Sequence, residues 1–107
     1  MSSKAEKLIY KKTNNLCAHC GKPSILTIDH IIPQTLGGGN DPRNLIPLCK
    51  KCNRSRASGE VELEGYYKYA SSWAIEDARE YIESWKREHT NATGELLVTR
   101  FGIKEGK

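Results

Sequence analysis

Residues 28–56 read IDHIIPQTLGGGNDPRNLIPLCKKCNRSR, and this stretch decides the fold. It opens on an acid followed by a histidine, Asp29 and His30, and it closes on a Cys-x-x-Cys pair that runs into positive charge. Asparagine side chains lie between and after these groups. Few structural purposes need all of these residue types in one short stretch. We therefore expect the functional centre of the chain to lie here.

The chain has four cysteines in two Cys-x-x-Cys pairs: Cys17, Cys20, Cys49 and Cys52. Thiolates three positions apart are typical of zinc knuckles, and Gly21 can adopt the unusual dihedral angles of a tight turn. Four thiolates make a closed tetrahedral site, so the predicted zinc ion is structural. His19 lies inside the first pair and is a candidate fifth ligand, but we interpret it as a bystander. A redox dithiol is the less favoured alternative for the cysteines.

The chain has 107 residues, the length of about one domain, and a net charge of +4. No segment resembles a signal peptide, and the apolar runs are far shorter than the roughly 20 residues that span a bilayer. We therefore expect a cytoplasmic protein with no membrane segment, in which paired cysteines bind metal. Residues 1–56 carry ten basic side chains against three acidic ones, whereas residues 57–107 carry seven against ten. The positive charge belongs to the half with the motif, which is typical of a nucleic-acid partner, although basic surfaces also occur for solubility alone.

Local signals predict a strand, a loop, a second strand and a helix within the motif. The predicted elements are a β-branched strand over residues 25–28 that runs into Asp29 and His30, a flexible glycine loop over residues 37–42, a short strand over residues 44–48 and a helix from Cys49. Pro33 is expected to end the first strand because it cannot donate to a ladder.

Helices are predicted on both sides of this core. A capping-box pattern begins a helix over about residues 4–13, whose lysines we interpret as a solvated face, with direct DNA contact as the alternative. Ser72 is expected to cap a second helix, from Trp73 to about His89. The apolar stripe of this helix is expected to pack on the core: Ile75, Ala78, Ile82 and Trp85.

Between the two halves lies a cluster of aromatic residues: Tyr66, Tyr67, Tyr69 and Trp73. Aromatic rings near a basic surface can stack on bases, but at this density they more often complete a small core, which is the interpretation we favour. Residues 90–94 read as a break, and residues 96–99 predict either a strand or an apolar patch for a partner. Residues 104–107 are expected to be a frayed tail.

The motif resembles the HNH endonuclease family, whose catalytic unit is a ββα-metal fold. The elements that carry the resemblance are Asp29-His30-Ile31-Ile32-Pro33, the glycine loop, Asn44-Leu45 and Cys49-x-x-Cys52-Asn53. Where many members have a second histidine after the last cysteine, this chain has Asn53 and resembles the HNN variant. The resemblance covers about residues 17–56 and implies cleavage of DNA that leaves 3′-hydroxyl and 5′-phosphate ends.

The residue types account for such chemistry in physical terms. Hydrolysis of a phosphodiester needs a base for water and charge that stabilises the phosphate. His30 is the candidate general base because imidazole exchanges a proton near neutral pH. Asp29 offers a carboxylate oxygen and Asn53 a carbonyl oxygen, which together favour Mg²⁺ or Mn²⁺. In a regular strand Asp29 and His30 point to opposite faces, so a shared site requires the strand to twist or end there.

The resemblance also implies a supporting role for Asn44, whose amide would orient His30 or hold the two segments together. The candidate DNA contacts are five basic residues: Arg43, Lys50, Lys51, Arg54 and Arg56. Taken singly, His30, Asn44 and Asp29 each fit an ordinary structural role as well. Their order beside a four-cysteine set favours the catalytic one.

The sequence therefore predicts an α+β protein, a single domain over residues 1–107 with a zinc-stapled ββα-metal core at about residues 17–57. The predicted activity is one-metal hydrolysis of DNA, with Zn²⁺ as the structural ion and Mg²⁺ or Mn²⁺ as the catalytic one. The expected state is a monomer or weak dimer. With one site per chain a monomer is expected to nick one strand, and a double-strand break would require a dimer or two successive events. The resemblance also implies phage DNA-packaging proteins as partners. The alternative is a non-catalytic zinc module that binds nucleic acid or protein.

Overall fold

A computed structural model describes residues 3–56 and 62–89. Its elements are α1 (Ser3–Lys11), β1 (Leu26–His30), β2 (Leu45–Cys49), α2 (Lys50–Arg56), α3 (Leu63–Tyr66) and α4 (Ser72–Glu88). Two short 3-10 turns, Gln34–Leu36 and Pro42–Asn44, lie between the strands. The order strand, loop, strand, helix is the predicted one, and the α+β class with a ββα unit is confirmed.

The two strands form an antiparallel hairpin, and α1 and α2 pack against it. Leu26 pairs with Cys49 at one end of the hairpin and His30 with Leu45 at the other. All five residues of β2 are buried, although Pro47 lies in its middle. The backbone N–H of Ala18 donates to the carbonyl of Pro47 (3.0 Å), so the first cysteine pair packs directly against β2.

Helix α1 covers one side of the hairpin, and its last turn differs from the prediction. The helix ends at Lys11, two residues early, and Ile9 is its fully buried apolar residue. Lys12 follows the helix and is 1% exposed, so the interpretation of a solvated lysine face is wrong for this residue. Its Nζ donates to the backbone carbonyls of Pro42 and of Leu45 (2.8 Å). Lys12 thereby joins α1 to the start of β2.

Helix α4 closes the other side of the core. Its predicted stripe is confirmed, because Ile75, Ala78, Ile82 and Trp85 are all buried. The predicted cap is wrong by one position: Ser71 precedes the helix as its N-cap residue, without a side-chain hydrogen bond to the helix. The stripe packs with apolar residues of the hairpin in one buried cluster.

The loop between the strands is fixed by hydrogen bonds, in contrast to the flexible loop expected from its glycines. The N–H of Gly39 donates to the hydroxyl of Tyr81 (2.9 Å), and the indole of Trp85 donates to the carbonyl of Leu36 (3.0 Å). A Cβ at Gly38 would lie 1.8 Å from the carbonyl oxygen of Ile32, so only glycine fits there. Helix α4 therefore holds the loop that carries residues of the motif.

The aromatic cluster divides between core and surface. Tyr67 is 1% exposed and belongs to the core as predicted, whereas Tyr69 and Trp73 remain largely exposed. The predictions for residues 90–94, 96–99 and 104–107 lie outside the described residues. Within the described ranges, no helix combines the length and the apolar character that crossing a membrane requires.

Candidate nuclease site and zinc centre

The two cysteine pairs meet at the open end of the hairpin. One sulfur atom from each of the four residues lies within 4.8 Å of the others, and Cys20 Sγ is 4.0 Å from Cys49 Sγ. Gly21 has a φ of +73°, the tight turn that the first pair requires. Four sulfur atoms at these separations can hold a zinc ion in a closed tetrahedral site. The cluster therefore supports the predicted zinc centre.

The protonation of the cluster is set by burial and by backbone hydrogen bonds. Burial opposes ionisation of Cys17, but backbone N–H groups of Cys20, Cys49 and His19 lower the pKa of its thiol to about 6. Burial and the neighbouring sulfur atoms raise the pKa of Cys52. Negative charge on one sulfur atom therefore makes ionisation of the others less favourable. A divalent cation bound among them would offset that repulsion.

His19 is engaged outside the sulfur cluster. Its Nδ1 lies 2.8 Å from the carbonyl oxygen of Tyr66, and its ring stacks on the Tyr66 ring with centroids 4.0 Å apart. The Tyr66 hydroxyl in turn donates to the carbonyl of Cys52 (2.9 Å). His19 and Tyr66 therefore brace the two cysteine pairs against α3.

Asp29 is buried, and one of its two carboxylate oxygens makes contacts within the protein. Its Oδ2 accepts a hydrogen bond from the hydroxyl of Tyr67 (2.8 Å) and lies 3.8 Å from Nε of Arg56. Burial raises the pKa of Asp29, and the Tyr67 hydrogen bond, Arg56 and His30 oppose that effect. The Asp29 carboxylate is therefore largely shielded from solvent, and Arg56 is its cationic partner.

Asn53 projects from α2 toward β1. Its Nδ2 donates to Oγ1 of Thr27 (2.7 Å), and the Thr27 hydroxyl donates to the carbonyl of Leu48 (2.9 Å). Thr27 and Asp29 are two positions apart on β1, so their side chains leave the same face of the strand. Helix α2 thus brings Asn53 to the face of the hairpin that carries Asp29.

His30 is the last residue of β1, and its ring has a partner that the sequence did not indicate. Its Nε2 lies 2.8 Å from Oδ1 of Asn40, a residue at the end of the glycine segment. Since an amide oxygen only accepts, this contact assigns the proton to Nε2 and leaves the lone pair on Nδ1. His30 and Asp29 reach different partners, and β1 ends at His30, which is one of the conditions for a site shared by the two residues.

Asn44 is fully buried and holds the loop closed. Its Oδ1 accepts from the N–H of Ile32 (2.8 Å), and its Nδ2 donates to the carbonyls of Ile32 (3.2 Å) and Gly39 (3.0 Å). Of the two roles expected for this side chain, these bonds correspond to holding the two segments together. The partner of the His30 ring is Asn40 instead.

The five basic residues expected to contact DNA divide into three environments. Lys50, Lys51 and Arg54 are exposed on α2. Arg43 is paired with Asp41 (2.8 Å) and Glu80 (2.9 Å). Arg56 is 4% exposed and donates to the Tyr67 hydroxyl and to the carbonyl of Ile31. Burial therefore gives Arg56 an internal role in place of the expected contact with DNA.

Three residues around the site were not identified from the sequence. The sequence predicts a core position for Tyr67 without a role at Asp29, a loop position for Asn40 and a solvated position for Lys12. A polar residue beside the glycines was the one available signal for Asn40. Neither Tyr67 nor Lys12 lies near the motif in sequence, so no local pattern connects them to it.

Comparison with known proteins agrees with this arrangement. Residues 17–59 match the family model described as HNH endonuclease. The chain is also similar to the CRISPR-associated endonuclease Cas9 of Actinomyces naeslundii, with 27% identity over 86 residues that cover 77% of this chain. The chain spans 8% of the length of that Cas9. No solved structure matches the chain.

The matched segment contains both cysteine pairs, the hairpin and α2. It therefore carries the zinc cluster together with Asp29, His30, Asn44 and Asn53. These similarities support nuclease activity at the level of the family. Residues 17–59 are thus the part of this chain that is similar to the HNH endonuclease family.

Proposed function

We propose that this protein hydrolyses phosphodiester bonds of DNA with a single divalent cation, and that each chain nicks one strand. The observation that carries the proposal is the placement of Asn53 against Thr27, on the strand face that also bears Asp29. An amide oxygen and a carboxylate oxygen then lie beside the strand end at which His30 projects. Oxygen donors of this kind suit Mg²⁺ or Mn²⁺ better than zinc.

His30 acts as the general base in this proposal. With the Nε2 proton directed to Asn40, Nδ1 is free to take a proton from the attacking water. The hydrogen bond to Asn40 also fixes the plane of the ring. Asn44 acts indirectly, since its side chain donates a hydrogen bond to the carbonyl of Gly39, the residue before Asn40.

Asp29 and Asn53 would hold the cation. Each would do so through the side-chain oxygen that its contacts described above do not use. A bound Mg²⁺ or Mn²⁺ supplies positive charge against the phosphate and the leaving oxygen. The positive charge of Arg56 offsets the negative charge of the Asp29 carboxylate. The chain thus provides the base, the ligands and the means of holding them in position.

DNA contact is proposed for the exposed basic residues of α2, Lys50, Lys51 and Arg54. Lys50 and Lys51 also line a groove of about 620 Å³ beside the cysteine cluster, together with Lys22 and Ser24. A phosphate backbone along this groove would meet positive charge on both sides.

The test of catalysis is nicking of supercoiled plasmid with added Mg²⁺ or Mn²⁺. We expect His30→Ala to abolish nicking while zinc content and the circular dichroism spectrum stay unchanged. His89→Gln, at the end of α4, serves as the matched histidine control and should retain nicking. If the wild type binds DNA but cuts no substrate with either cation, the protein is a binding module and the proposal fails.

The test of the DNA contacts is the salt dependence of binding. Replacing Lys51 by Ala should lower the slope of log K against log salt by about 1. Arg43→Ala is the control, because its guanidinium is already paired with Asp41 and Glu80. An equal change of slope in both variants would contradict the assignment of α2 as the binding surface.

A further inference from the structure

We infer that Thr27 and Tyr67 are positioning residues that determine which oxygen atoms Asp29 and Asn53 present to a cation. The inference rests on the proposed function, and it concerns two side chains that are not among the motif residues quoted above. Each of them occupies one polar atom of a proposed ligand. The remaining oxygen of that ligand is thereby directed to the site.

The argument for Thr27 follows from the polarity of its hydrogen bonds. A threonine hydroxyl has one proton, and that proton is donated to the carbonyl of Leu48 (2.9 Å). The Thr27 oxygen can therefore only accept from Asn53, which must offer its Nδ2 at 2.7 Å. This fixes the orientation of the Asn53 amide and turns its Oδ1 away from Thr27.

The argument for Tyr67 is similar and involves Arg56. Nε of Arg56 donates to the Tyr67 hydroxyl (3.0 Å), so the Tyr67 proton goes to Oδ2 of Asp29 (2.8 Å). The Arg56 contact with Asp29 reaches the same oxygen. Both partners thus hold Oδ2, which fixes the rotation of the carboxylate and leaves Oδ1 for a cation.

Thr27 and Tyr67 orient the two proposed ligands from different parts of the fold. Thr27 acts from the strand and Tyr67 from the segment that follows α3, and both are held by further bonds to the backbone or to Arg56. Side chains that orient metal ligands in this way typically change metal affinity by about 10-fold or more when removed. We therefore expect a measurable loss of cation binding when either hydroxyl is removed.

The experiment is titration of zinc-loaded protein with Mn²⁺, with free Mn²⁺ followed by electron paramagnetic resonance. Thr27→Val and Tyr67→Phe each remove one hydroxyl with little change of volume, and each should weaken Mn²⁺ binding about 10-fold. Thr27→Ser keeps the hydroxyl and should restore binding to within about 2-fold of the wild type on the same basis. Thr35→Val and Tyr69→Phe are matched controls at exposed positions and should bind Mn²⁺ as the wild type does.

A second background separates orientation from general loosening of the structure. Asn53→Asp replaces the amide by a carboxylate, which presents an oxygen in either orientation. In this background Thr27→Val should no longer weaken Mn²⁺ binding. If it weakens binding equally in both backgrounds, Thr27 acts only through stability and the inference about its role is overturned.

The ligand variants distinguish failure of the inference from failure of the proposed function. If Asp29→Ala and Asn53→Ala leave Mn²⁺ binding unchanged, the proposed cation site itself is wrong. If those two variants lose binding while Thr27→Val and Tyr67→Phe keep it, the cation site stands and the positioning role is overturned.

Discussion

The two ends of the hairpin are held together by different means. At the end where Leu26 pairs with Cys49, four sulfur atoms cluster within 4.8 Å. At the end where His30 pairs with Leu45, a buried asparagine and a buried lysine bind backbone groups of the loop. The first end depends on one cluster of identical side chains, and the second on several separate hydrogen bonds.

This difference has an energetic consequence. A zinc cluster assembles as a unit, because removal of one ligand weakens the site for the other three. Separate hydrogen bonds contribute about 1 kcal/mol each, and more when their loss strands a buried group. We therefore expect an all-or-none response at the cysteine end and graded responses at the loop end.

The largest effect is expected at the cysteine end. Cys49→Ser removes one of the four sulfurs, and structural zinc sites supply on the order of 10 kcal/mol of binding free energy that is coupled to folding. We expect loss of bound zinc and of the cooperative thermal transition, measured by metal analysis and circular dichroism. Ser55→Ala on α2, the helix that follows Cys49, is the control. A Cys49→Ser protein that melts like the wild type would break the proposed contrast between the ends.

Next in size is Asn44→Ala at the loop end. The substitution strands the N–H of Ile32 and removes the donor to the Gly39 carbonyl, in a side chain that is fully buried. We expect a loss of about 2 to 4 kcal/mol in the free energy of unfolding, measured by urea denaturation with zinc bound. Zinc content should stay at the wild-type level, and its loss would show that the two ends are not independent.

Lys12 adds a dependence on pH to the loop end. Burial lowers the pKa of its ammonium from 10.5 to about 8, although Asp77 and Asp41 act in the opposite direction. Because the folded state releases this proton at lower pH than the unfolded chain, stability should rise as pH increases from about 8 to 10.5. The expected gain is on the order of 2 kcal/mol.

Urea denaturation of the wild type and of Lys12→Met across this range isolates the contribution of Lys12. The contributions of all other ionisable groups are common to both proteins and cancel in the difference. Lys12→Met should lack the additional rise in the free energy of unfolding that the wild type shows over this pH range. A parallel pH dependence in both proteins would mean that the lysine remains hydrated in the folded state.

The smallest effect on stability is expected for Asn40→Ala. Asn40 is exposed, so its removal should change the free energy of unfolding by less than about 0.5 kcal/mol. Nicking should nevertheless fall, by about 10-fold, because the His30 ring loses the acceptor that assigns its proton. Equal nicking rates for Asn40→Ala and the wild type would remove Asn40 from the site.

The sequence predicts the cysteine end better than the loop end. Few residue types bind zinc, so paired cysteines at knuckle spacing identify the cluster directly. The stripe of α4 is predicted because burial imposes a helical period on the sequence, and the first strand is predicted from its β-branched residues.

The loop end depends on contacts between distant segments that leave no such period. Lys12 lies one residue beyond the end of α1, so helical spacing does not indicate its direction. Arg56 belongs to a basic run but faces the core, because Asp29 and Tyr67 provide partners there. In both cases a long side chain reaches a buried acceptor that only the folded chain creates.

The middle of β2 has a consequence for self-association. Alternate carbonyls of an antiparallel strand face away from its partner. The carbonyls of Leu45 and Pro47 are taken by Lys12 and Ala18, and proline has no N–H to offer. A strand from another molecule would therefore find these positions of the β2 edge already occupied, which protects that edge against pairing with another molecule.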